Sequence, residues 1–584
     1  MKRCPQCNRV EVDEALKFCR VDGATLIADS SLVGSEAGTA RLGSTGDASE
    51  VHTSILQHDT QTNVNRATGP TTVLPPQQSA NTFRLGSTTI LRKGPIAAAI
   101  AILLVVVAAC VYFIGGRFVA SRKDKGIESV AVLPFENKSG NAESEYLSDG
   151  LAESLIYRLS QLSNLKVSPR SSAFRYKGQT IDAEKIGNEL GVDAVMSGRL
   201  VQRGEDLLIS VDLIDVRNKK TIWGEQFQRK MSDLLTTQSE IAAAIADKLQ
   251  LRLSGNDSKG MTKQYTTNNE AYQLYLQGRY FWNKRSSENL KKATDLLKAA
   301  TEKDPNFALA YAGLADCYVV NYYYVGSSPR EIMPLSKIYA AKAIELDPTL
   351  AEPHATLGFA AWLLDWDKAA EKEFLRAIQL NPNYPTAHHW YSRYLRGVGR
   401  FDEAFSEIQR AEALDPLSLV IINNVAENYI QRGDLNSATR ECQRMIDLDP
   451  NFWAAHQTLG IVLVKQGRYD EALAEAQKSI QLANRSNASL ALLGHVYAKL
   501  GKQNEADAVI KELETRYTEK SADGRDLAVV CSGLNDKDKA FAWLEKAFAD
   551  HSVFLAFLRL EPLMDSLNSD PRWNDLERRV GVSE

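Results

Sequence analysis

Apolar and polar positions change rhythm along this chain, and each rhythm predicts a different element. Between Gly94 and Gly116 the chain carries no charge and reads Pro-Ile-Ala-Ala-Ala-Ile-Ala-Ile-Leu-Leu-Val-Val-Val-Ala-Ala onward, so residues 95–116 are long enough to cross a bilayer as one helix. From 127 to 254 the pattern is mixed. Ser129 to Phe135 is an apolar strand, and Leu147, Leu151, Leu155, Ile156 and Leu159 form one side of a helix with Asp149-Gly150 near its start. A strand at 165–167, a helix at 183–190 and strands at 195–201, 207–216 and 221–227 follow, then a closing helix at 241–251. The alternation in Leu207-Leu208-Ile209-Ser210-Val211-Asp212-Leu213 predicts a sheet with one face buried. Beyond residue 268 the rhythm is helical and repeats. Ala370, Ala404, Ala438, Ala472 and Ala506 recur every 34 residues, as do Pro348, Pro382, Pro416 and Pro450. Such a period means stacked helical hairpins that fold only as an array.

The residues inside each unit carry a resemblance. His354-Ala355-Thr356-Leu357-Gly358, Asp367-Lys368-Ala369-Ala370, Phe374, Ala377 and Asn381-Pro382 form one unit, and His456-Gln457-Thr458-Leu459-Gly460 with Arg468-Tyr469-Asp470-Glu471-Ala472 form its best match. This pattern resembles the tetratricopeptide repeat. Small residues at Gly358, Gly460, Gly494 and Ala370 let antiparallel helices approach, and the proline ends the second helix. Repeats extend over 268–518, beginning with hairpins at 271–305 and 307–348. The second is nine residues too long, around Tyr322-Tyr323-Tyr324-Val325-Gly326-Ser327-Ser328-Pro329, an insertion read as tolerated rather than partner-binding. From 519 to 584 a degenerate repeat, Lys539 to Ala547, and a cap through Leu560-Glu561-Pro562-Leu563 and Asp570-Pro571-Arg572-Trp573 close the array.

The amino-terminal 27 residues hold Cys4, Cys7, Cys19 and Asp22, two ligand pairs with a two-residue gap. Four such side chains suit one tetrahedral structural zinc. The stretch resembles a zinc ribbon, with Asp22 where that family has cysteine, a harder and weaker structural ligand. A closed site leaves no position for catalysis. Residues 28–93 are rich in Ser, Thr, Gly, Gln and Asn and read as a disordered linker. The remaining cysteines, Cys110, Cys317, Cys442 and Cys531, are spaced as small core residues, with no disulfide framework.

At 584 residues the chain needs several domains. A net charge of -4 gives no global reason to bind nucleic acid. Lys2, Arg3, Arg9, Lys17 and Arg20 are the only bases near the ribbon and have no aromatic platform beside them, which favours a protein partner there. Arg84, Arg92 and Lys93 precede the apolar run and Arg117, Arg122, Lys123 and Lys125 follow it, leaning slightly towards a cytoplasmic carboxyl side. The thiol cluster argues the reverse, for a reducing amino-terminal compartment and extracytoplasmic repeats.

Val130-Ala131-Val132-Leu133-Pro134-Phe135-Glu136-Asn137, Tyr146-Leu147-Ser148-Asp149-Gly150-Leu151, Gly191-Val192-Asp193-Ala194-Val195-Met196-Ser197-Gly198, Leu213-Ile214-Asp215 and Trp223-Gly224-Glu225 together look like a bacterial domain related to the TolB amino-terminal domain. The resemblance implies an extracytoplasmic sensing or assembly module placed between a membrane helix and tetratricopeptide repeats. Its usual cyclase, kinase or DNA-binding partner domain is replaced here by the ribbon. Asp149, Glu153, Arg170, Asp193 and Arg199 sit near strand ends but read as helix-start, loop and surface positions. No phosphate-binding loop, His-Glu-x-x-His, Gly-x-Ser-x-Gly or kinase catalytic loop occurs, so a non-enzymatic chain is expected, without a small-molecule substrate.

In the repeat family the first helix of each hairpin lines a groove. The corresponding positions are His389, Arg393, Arg396, Asn423, Glu427, Gln431, Gln457, Lys465, His495 and Lys499, flanking Trp362 and Ile461. They suit an extended peptide, while the Lys and Asn pattern that clamps a terminal carboxylate is missing. The expected protein is a single-pass membrane-anchored interaction scaffold; the second reading is a transmembrane regulator whose outer domain senses a ligand and whose ribbon contacts nucleic acid or an enzyme.

Overall fold

The computed structural model describes residues 2–3, 10–11, 27–28, 127–162, 164–249, 260, 263–324 and 329–581. The apolar run 95–116, most of the linker, and Cys4, Cys7, Cys19 and Asp22 lie outside them. The chain divides into two units, Met1–Ala98 and Ala99–Glu584. In the first, three short strands, β1 (Lys2–Arg3), β2 (Val10–Glu11) and β3 (Ile27–Ala28), form an antiparallel sheet in the order β2-β1-β3.

The second unit opens with the α/β domain. Strands β4 (Ser129–Val132), β5 (Glu136–Asn137), β6 (Lys166–Val167), β7 (Ala194–Arg203), β8 (Asp206–Asp215) and β9 (Lys220–Lys230) form a sheet ordered β6-β4-β7-β8-β9, with β5 also on β7. The first three run parallel and the last three antiparallel. All four residues of β4 are buried, because helices cover both faces. Helices α1 (Glu145–Ser160) and α4 (Leu234–Lys248) lie on the face of Val130 and Val132. Helix α3 (Ala183–Leu190) covers Ala131 and Leu133 on the other, and the short α2 (Arg170–Ala173) precedes it. Strand β8 alternates buried and half-buried positions, as its sequence predicts.

Three expectations need correction. The strand expected over 129–135 ends at Val132 and resumes at Glu136, since Pro134 has no N–H for a ladder. The closing helix begins seven residues early, at Leu234 rather than 241. Asp149 and Gly150 are not at a helix start: α1 begins at Glu145, and Gly150 packs against Leu276, where a Cβ would stand 3.0 Å from Cδ2.

Sixteen helices follow among the described residues, paired as eight hairpins: α5 (Asn269–Asn283) with α6 (Ser287–Lys303), α7 (Ala308–Tyr324) with α8 (Pro329–Leu346), α9 (Glu352–Asp365) with α10 (Glu371–Leu380), α11 (Pro385–Gly397) with α12 (Phe401–Leu414), α13 (Leu419–Gln431) with α14 (Leu435–Leu448), α15 (Trp453–Lys465) with α16 (Tyr469–Leu482), α17 (Asn487–Lys499) with α18 (Gln503–Thr518), and α19 (Gly524–Gly533) with α20 (Lys537–Ala549). These are tetratricopeptide-type repeats. The periodic alanines Ala370, Ala404, Ala438, Ala472 and Ala506 are buried. The close approach expected at Gly494 is present, since a Cβ there would meet Val530 Cγ2 at 2.8 Å and Val509 Cγ1 at 2.9 Å. Each tight turn needs a left-handed residue, supplied in step by Gly399, Gly433, Gly467 and Gly501 at φ +85, +76, +74 and +70 and then by Asn535 at +59. The long second hairpin carries its excess as length, with helices of 17 and 18 residues against 13 and 14 for α11 and α12. Residues 325–328 of that insertion lie outside the described ones.

One periodic device escaped the sequence reading. His354, His388 and His456, spaced by one or two periods, each place Nδ1 2.6–2.7 Å from Glu373, Glu407 and Glu475 of the paired helix. Nε2 of His388 and His456 lies 3.0 Å from the Pro382 and Pro450 carbonyls, so each of these imidazoles ties helix, partner and inter-repeat turn together.

Candidate functional site: the inner face of the array

The first helices of the hairpins form the inner layer, and the polar positions expected to line it are reached from two sides by the chain itself. After α20 the chain runs as two 3-10 segments, Val553–Leu560 and Pro562–Leu567, before α21 (Pro571–Val580). Val553 and Ala556 join the cluster of Trp362, Phe374 and Tyr394, while Leu555 and Leu558 join that of Val496, Val530 and Leu544. Residues of early and late hairpins thus share one segment, which requires the array to curve around it. The Phe557 ring stands edge-on to Trp362 at 4.8 Å, Phe554 lies 6.2 Å from Tyr322, and His551 stacks on Trp366 at 4.1 Å. Gly397 has no side chain because Trp362 Cζ2 and the Ala556 carbonyl would lie 2.4 and 2.9 Å from its Cβ. The expected terminal cap is therefore also a strut across the inner face.

The α/β domain and the connector that follows it brace the turns where second helices lead into first helices. Lys263 pairs with Asp347 at 2.6 Å, and Thr266 donates to Asp304 at 2.5 Å. In several of these turns the acid or amide side chain accepts its own i+2 N–H, as Asp304 does from Asn306, Asn381 from Asn383 and Asp449 from Asn451. Asp415 departs from this. Its carboxylate accepts from Ser171 and, at 2.6 Å, from Ser172 of α2, and the Ser172 hydroxyl takes over the Leu417 N–H at 3.2 Å. One hairpin further, Arg175 donates to the Leu448 carbonyl at 2.7 Å.

Between these contacts lies a buried ion network. Glu153 accepts from Arg279 Nε at 2.9 Å and pairs with Arg170 Nε at 2.9 Å, and Arg279 also reaches Asp316 at 3.3 Å. Burial works to raise the Glu153 carboxyl, but Arg279 and Arg170 hold it below its ordinary range. Glu153 thus pairs across the domain boundary with Arg279 and Arg170 pairs with it inside the α/β domain, neither being the surface position expected, and Asp149 is buried against Lys177. The Asp193 carboxylate accepts from the Ser129 hydroxyl and from the Glu128 N–H, and its own N–H lies 2.9 Å from that hydroxyl. Arg199 is the exposed one. Glu352, at the start of α9, has a sealed Oε2 with no hydrogen-bond partner. Burial, then Asp316 and Asp347 nearby, push its carboxyl up to about 7.

The ten expected groove residues fall into two groups. Arg396 is buried, donates to Glu427 at 2.8 Å and Asn424 at 3.3 Å, and has a sealed, unpartnered Nε. Asn423 donates to Glu427 and accepts from Thr458. Lys465 pairs with Asp565 of the strut. His495 is buried against Gly533, bonds the Val529 carbonyl at 3.0 Å, and is pushed down to about 4 by burial. These four, together with Glu427, Asn423's acceptor, serve the fold. His389, Gln431, Gln457 and Lys499 make no hydrogen bond or ion pair among the described residues. Arg393 has no carboxylate partner there either; its guanidinium lies 5.3 Å from the Phe359 ring and 4.7 Å from Phe557. Burial, followed by Arg393 and Arg396, pushes the His389 imidazole down to about 3, so it is neutral.

Among the described residues no group of three or more His, Cys, Asp or Glu side chains is placed to hold a metal ion, and no helix is long and apolar enough to cross a membrane. Cys317, Cys442 and Cys531 are buried free thiols, as expected of small core residues.

Comparison with known proteins adds two local matches. Residues 126–244 match the second domain of HilA/YgeH-like transcriptional regulators, and residues 429–481 match the tetratricopeptide repeat. Among curated proteins, the chain is 30% identical over 244 residues to putative adenylate cyclase 3 of Rhizobium meliloti, covering 41% of each chain. It is 23% identical over 294 residues to the transcriptional regulator HilA of Salmonella typhimurium, covering 49% of this chain and 51% of that one. The chain thus spans about half the length of these relatives. Among solved structures, YrrB, a tetratricopeptide-repeat protein with an unusual peptide-binding site, is 23% identical over 33% of this chain and 96% of its own. Its TM-score of 0.22 is too low to carry an argument about this chain.

Proposed function

We propose that the chain is a non-enzymatic interaction scaffold that binds protein through the open part of its inner repeat face and is held at a membrane by residues 95–116. The observation that carries this is the division of the inner face: one set of polar side chains is consumed by the strut and by neighbouring helices, while Arg393, Gln431, Gln457 and Lys499 keep their bonding capacity. These four are half-buried, and Arg393 lies beside the Phe359 and Phe557 rings, a mixture of open polar groups and aromatic surface that suits a protein partner. A photo-crosslinking residue at Gln457 in the full chain, expressed in its own cells, tests this against one at Lys511 on the exposed second-helix layer. Capture of a defined polypeptide at 457 and not at 511 is expected. Equal capture at both, or at neither, refutes the scaffold reading.

On this reading the repeats and the α/β domain, with its resemblance to the TolB amino-terminal module, stand outside the cytoplasm and the amino terminus inside. Reporters fused before Met1 and after Glu584 test that topology. Cys4, Cys7, Cys19 and Asp22 would hold a structural zinc. Metal content of the full chain, compared with Cys7→Ser, checks it, one zinc per chain lost in the variant being the expected result. The second reading, a transmembrane regulator with a sensing outer domain and a ribbon that contacts nucleic acid or an enzyme, is favoured by the regulator and cyclase names of the curated relatives. Salt-sensitive binding of the full chain to DNA or RNA that disappears in Cys7→Ser would establish it.

A further inference from the structure

The sheet of the α/β domain has a point where its strand order reverses, and a crevice opens at it. Strand β4 lies between β6 and β7, and all three run parallel. The chain leaves β4 through α1 to reach β6 on one side, and then passes α2 and α3 to reach β7 on the other. These crossovers run in opposite directions, which is why α1 and α3 cover opposite faces. Open parallel sheets hold ligands outside the carboxyl ends of their strands at such a point. A cavity of about 650 Å³ lies there, between Glu143, Tyr146 and Gln202 of the α/β domain and Gln277, Tyr280 and Lys284 at the end of α5. Gln202 is the penultimate residue of β7, and Glu143 lies in the connection from β5 to α1.

Much of the polar lining is already engaged. The Ser144 hydroxyl donates to Gln202 Oε1 at 2.7 Å, Gln202 Nε2 donates to the Gly204 carbonyl at 3.2 Å, and the Tyr146 hydroxyl meets the Gln277 side chain across the domain boundary. Two charges are not engaged. Glu143, from the α/β domain, and Lys284, from the first hairpin, have no oppositely charged partner among the described residues. Lys284 Nζ stands 4.3 Å from the centre of the Tyr280 ring and 5.6 Å from that of Phe281, and the two rings meet edge-on at 5.4 Å. Aromatic faces steady an ammonium while leaving its N–H groups for an anion. Asn141 Oδ1 accepts the Glu143 N–H at 2.8 Å, which leaves the Asn141 amide nitrogen to donate elsewhere. A lone anion in this crevice would face Glu143 and a lone cation would face Lys284, so a molecule carrying both charges is the one that both walls accept.

We propose that the crevice binds a small zwitterion of amino-acid chemistry, a free amino acid or a short peptide with both ends open. Glu143 holds its ammonium and Lys284 its carboxylate. The Asn141 amide donates to a peptide carbonyl where one is present, and the Tyr280 and Phe281 rings line the space for a side chain. Because one charge comes from the α/β domain and the other from the first hairpin, the bound molecule ties the two together. The site goes beyond the scaffold reading. It lies three first helices before Arg393, on the flank of α5 that Gln277 turns towards Tyr146, and uses none of the inner-face positions.

The test titrates the purified full chain calorimetrically with Ala, Ala-Ala and Ala-Ala-Ala, each also acetylated at its amino end or amidated at its carboxyl end. At least one free-ended length is expected to bind saturably at one site per chain, and the preferred length separates a free amino acid from a peptide. Blocking either end is expected to cost about tenfold, the worth of one charge-assisted contact. In Glu143→Gln the acetyl block should no longer matter, and in Lys284→Met, which keeps its stem over Tyr280, the amide block should no longer matter. A merely structural role for either residue would not produce that matching of variant to blocked end. Both side chains are exposed, so neither substitution should move the melting temperature of the unliganded chain. No saturable binding at any length, a loss confined to one blocked end, or unchanged affinity in both variants overturns the proposal. Capture of a polypeptide at Gln457 should be indifferent to both variants, so this assignment and the scaffold reading fail separately.

Discussion

Asp415 offers the sharpest test of how the α/β domain and the array are joined. Its carboxylate is 3% exposed and accepts hydroxyls from Ser171 and Ser172, while Ser172 supplies the Leu417 N–H with the acceptor that an Asp or Asn side chain provides in other turns. Replacing Asp415 with Ala removes two charge-assisted bonds, each worth about 1.5–3 kcal/mol, and strands the buried Ser172 hydroxyl, Ser171 being exposed. Since the groups act as a unit, a loss of about 3 kcal/mol is expected rather than the sum. Ser172→Ala costs about 1–2 kcal/mol for the same bond and for the orphaned Leu417 N–H. The double variant should then be no worse than Asp415→Ala by more than about 0.5 kcal/mol, giving a coupling energy near 1 kcal/mol in urea denaturation. Asp415→Asn should cost little, since an amide both accepts and donates here. Burial raises the Asp415 carboxyl above its ordinary value. The folded state therefore binds the proton more readily than the unfolded one, so the net stability this group contributes rises on acidification and is lost as pH rises through the folded value, even though the hydroxyls favour the charged form. Asp415→Asn should flatten that part of the pH profile. Strict additivity of Asp415→Ala and Ser172→Ala would refute the idea that this turn is hooked by the domain.

Other outcomes follow from the same packing. Glu352, raised from 4.5 to about 7, loses stability as pH climbs across that interval, so Glu352→Gln should remove the slope and be the more stable chain at pH 8, as judged by thermal melts at several pH values. Leu555→Ala, at a fully buried position of the strut, should cost about 2–5 kcal/mol and destabilise early and late hairpins together; a loss confined to the carboxyl-terminal hairpins in hydrogen exchange would refute the strut. Asn535→Gly, at φ +59 where the preceding turns use glycine, should be nearly neutral, whereas Asn535→Val should cost about 1–2 kcal/mol by denaturation.

The chain's own pattern determined the hairpins and the α/β domain, because both depend on local periodicity. An alanine every 34 residues is a statement about where two helices touch, and Ala404, Ala438, Ala472 and Ala506 are all fully buried. The alternation of β8 likewise encoded one buried face. The His354, His388 and His456 pairs were also legible, since each glutamate follows its histidine by the same interval. The candidate site was only half legible. Helical register placed Arg393, Gln431, Gln457 and Lys499 on the inner layer, but register says nothing about what distant chain comes to lie there. That Lys465 meets Asp565, that Phe557 covers Arg393, and that Asp415 abandons its own turn for Ser172 are contacts between residues far apart in sequence. Such contacts are decided when a curved array closes on its own terminus and a separate domain docks along its edge. Local propensity and period carry no term for either event, so the division between residues that hold the fold and residues left for a partner belongs to the tertiary structure alone.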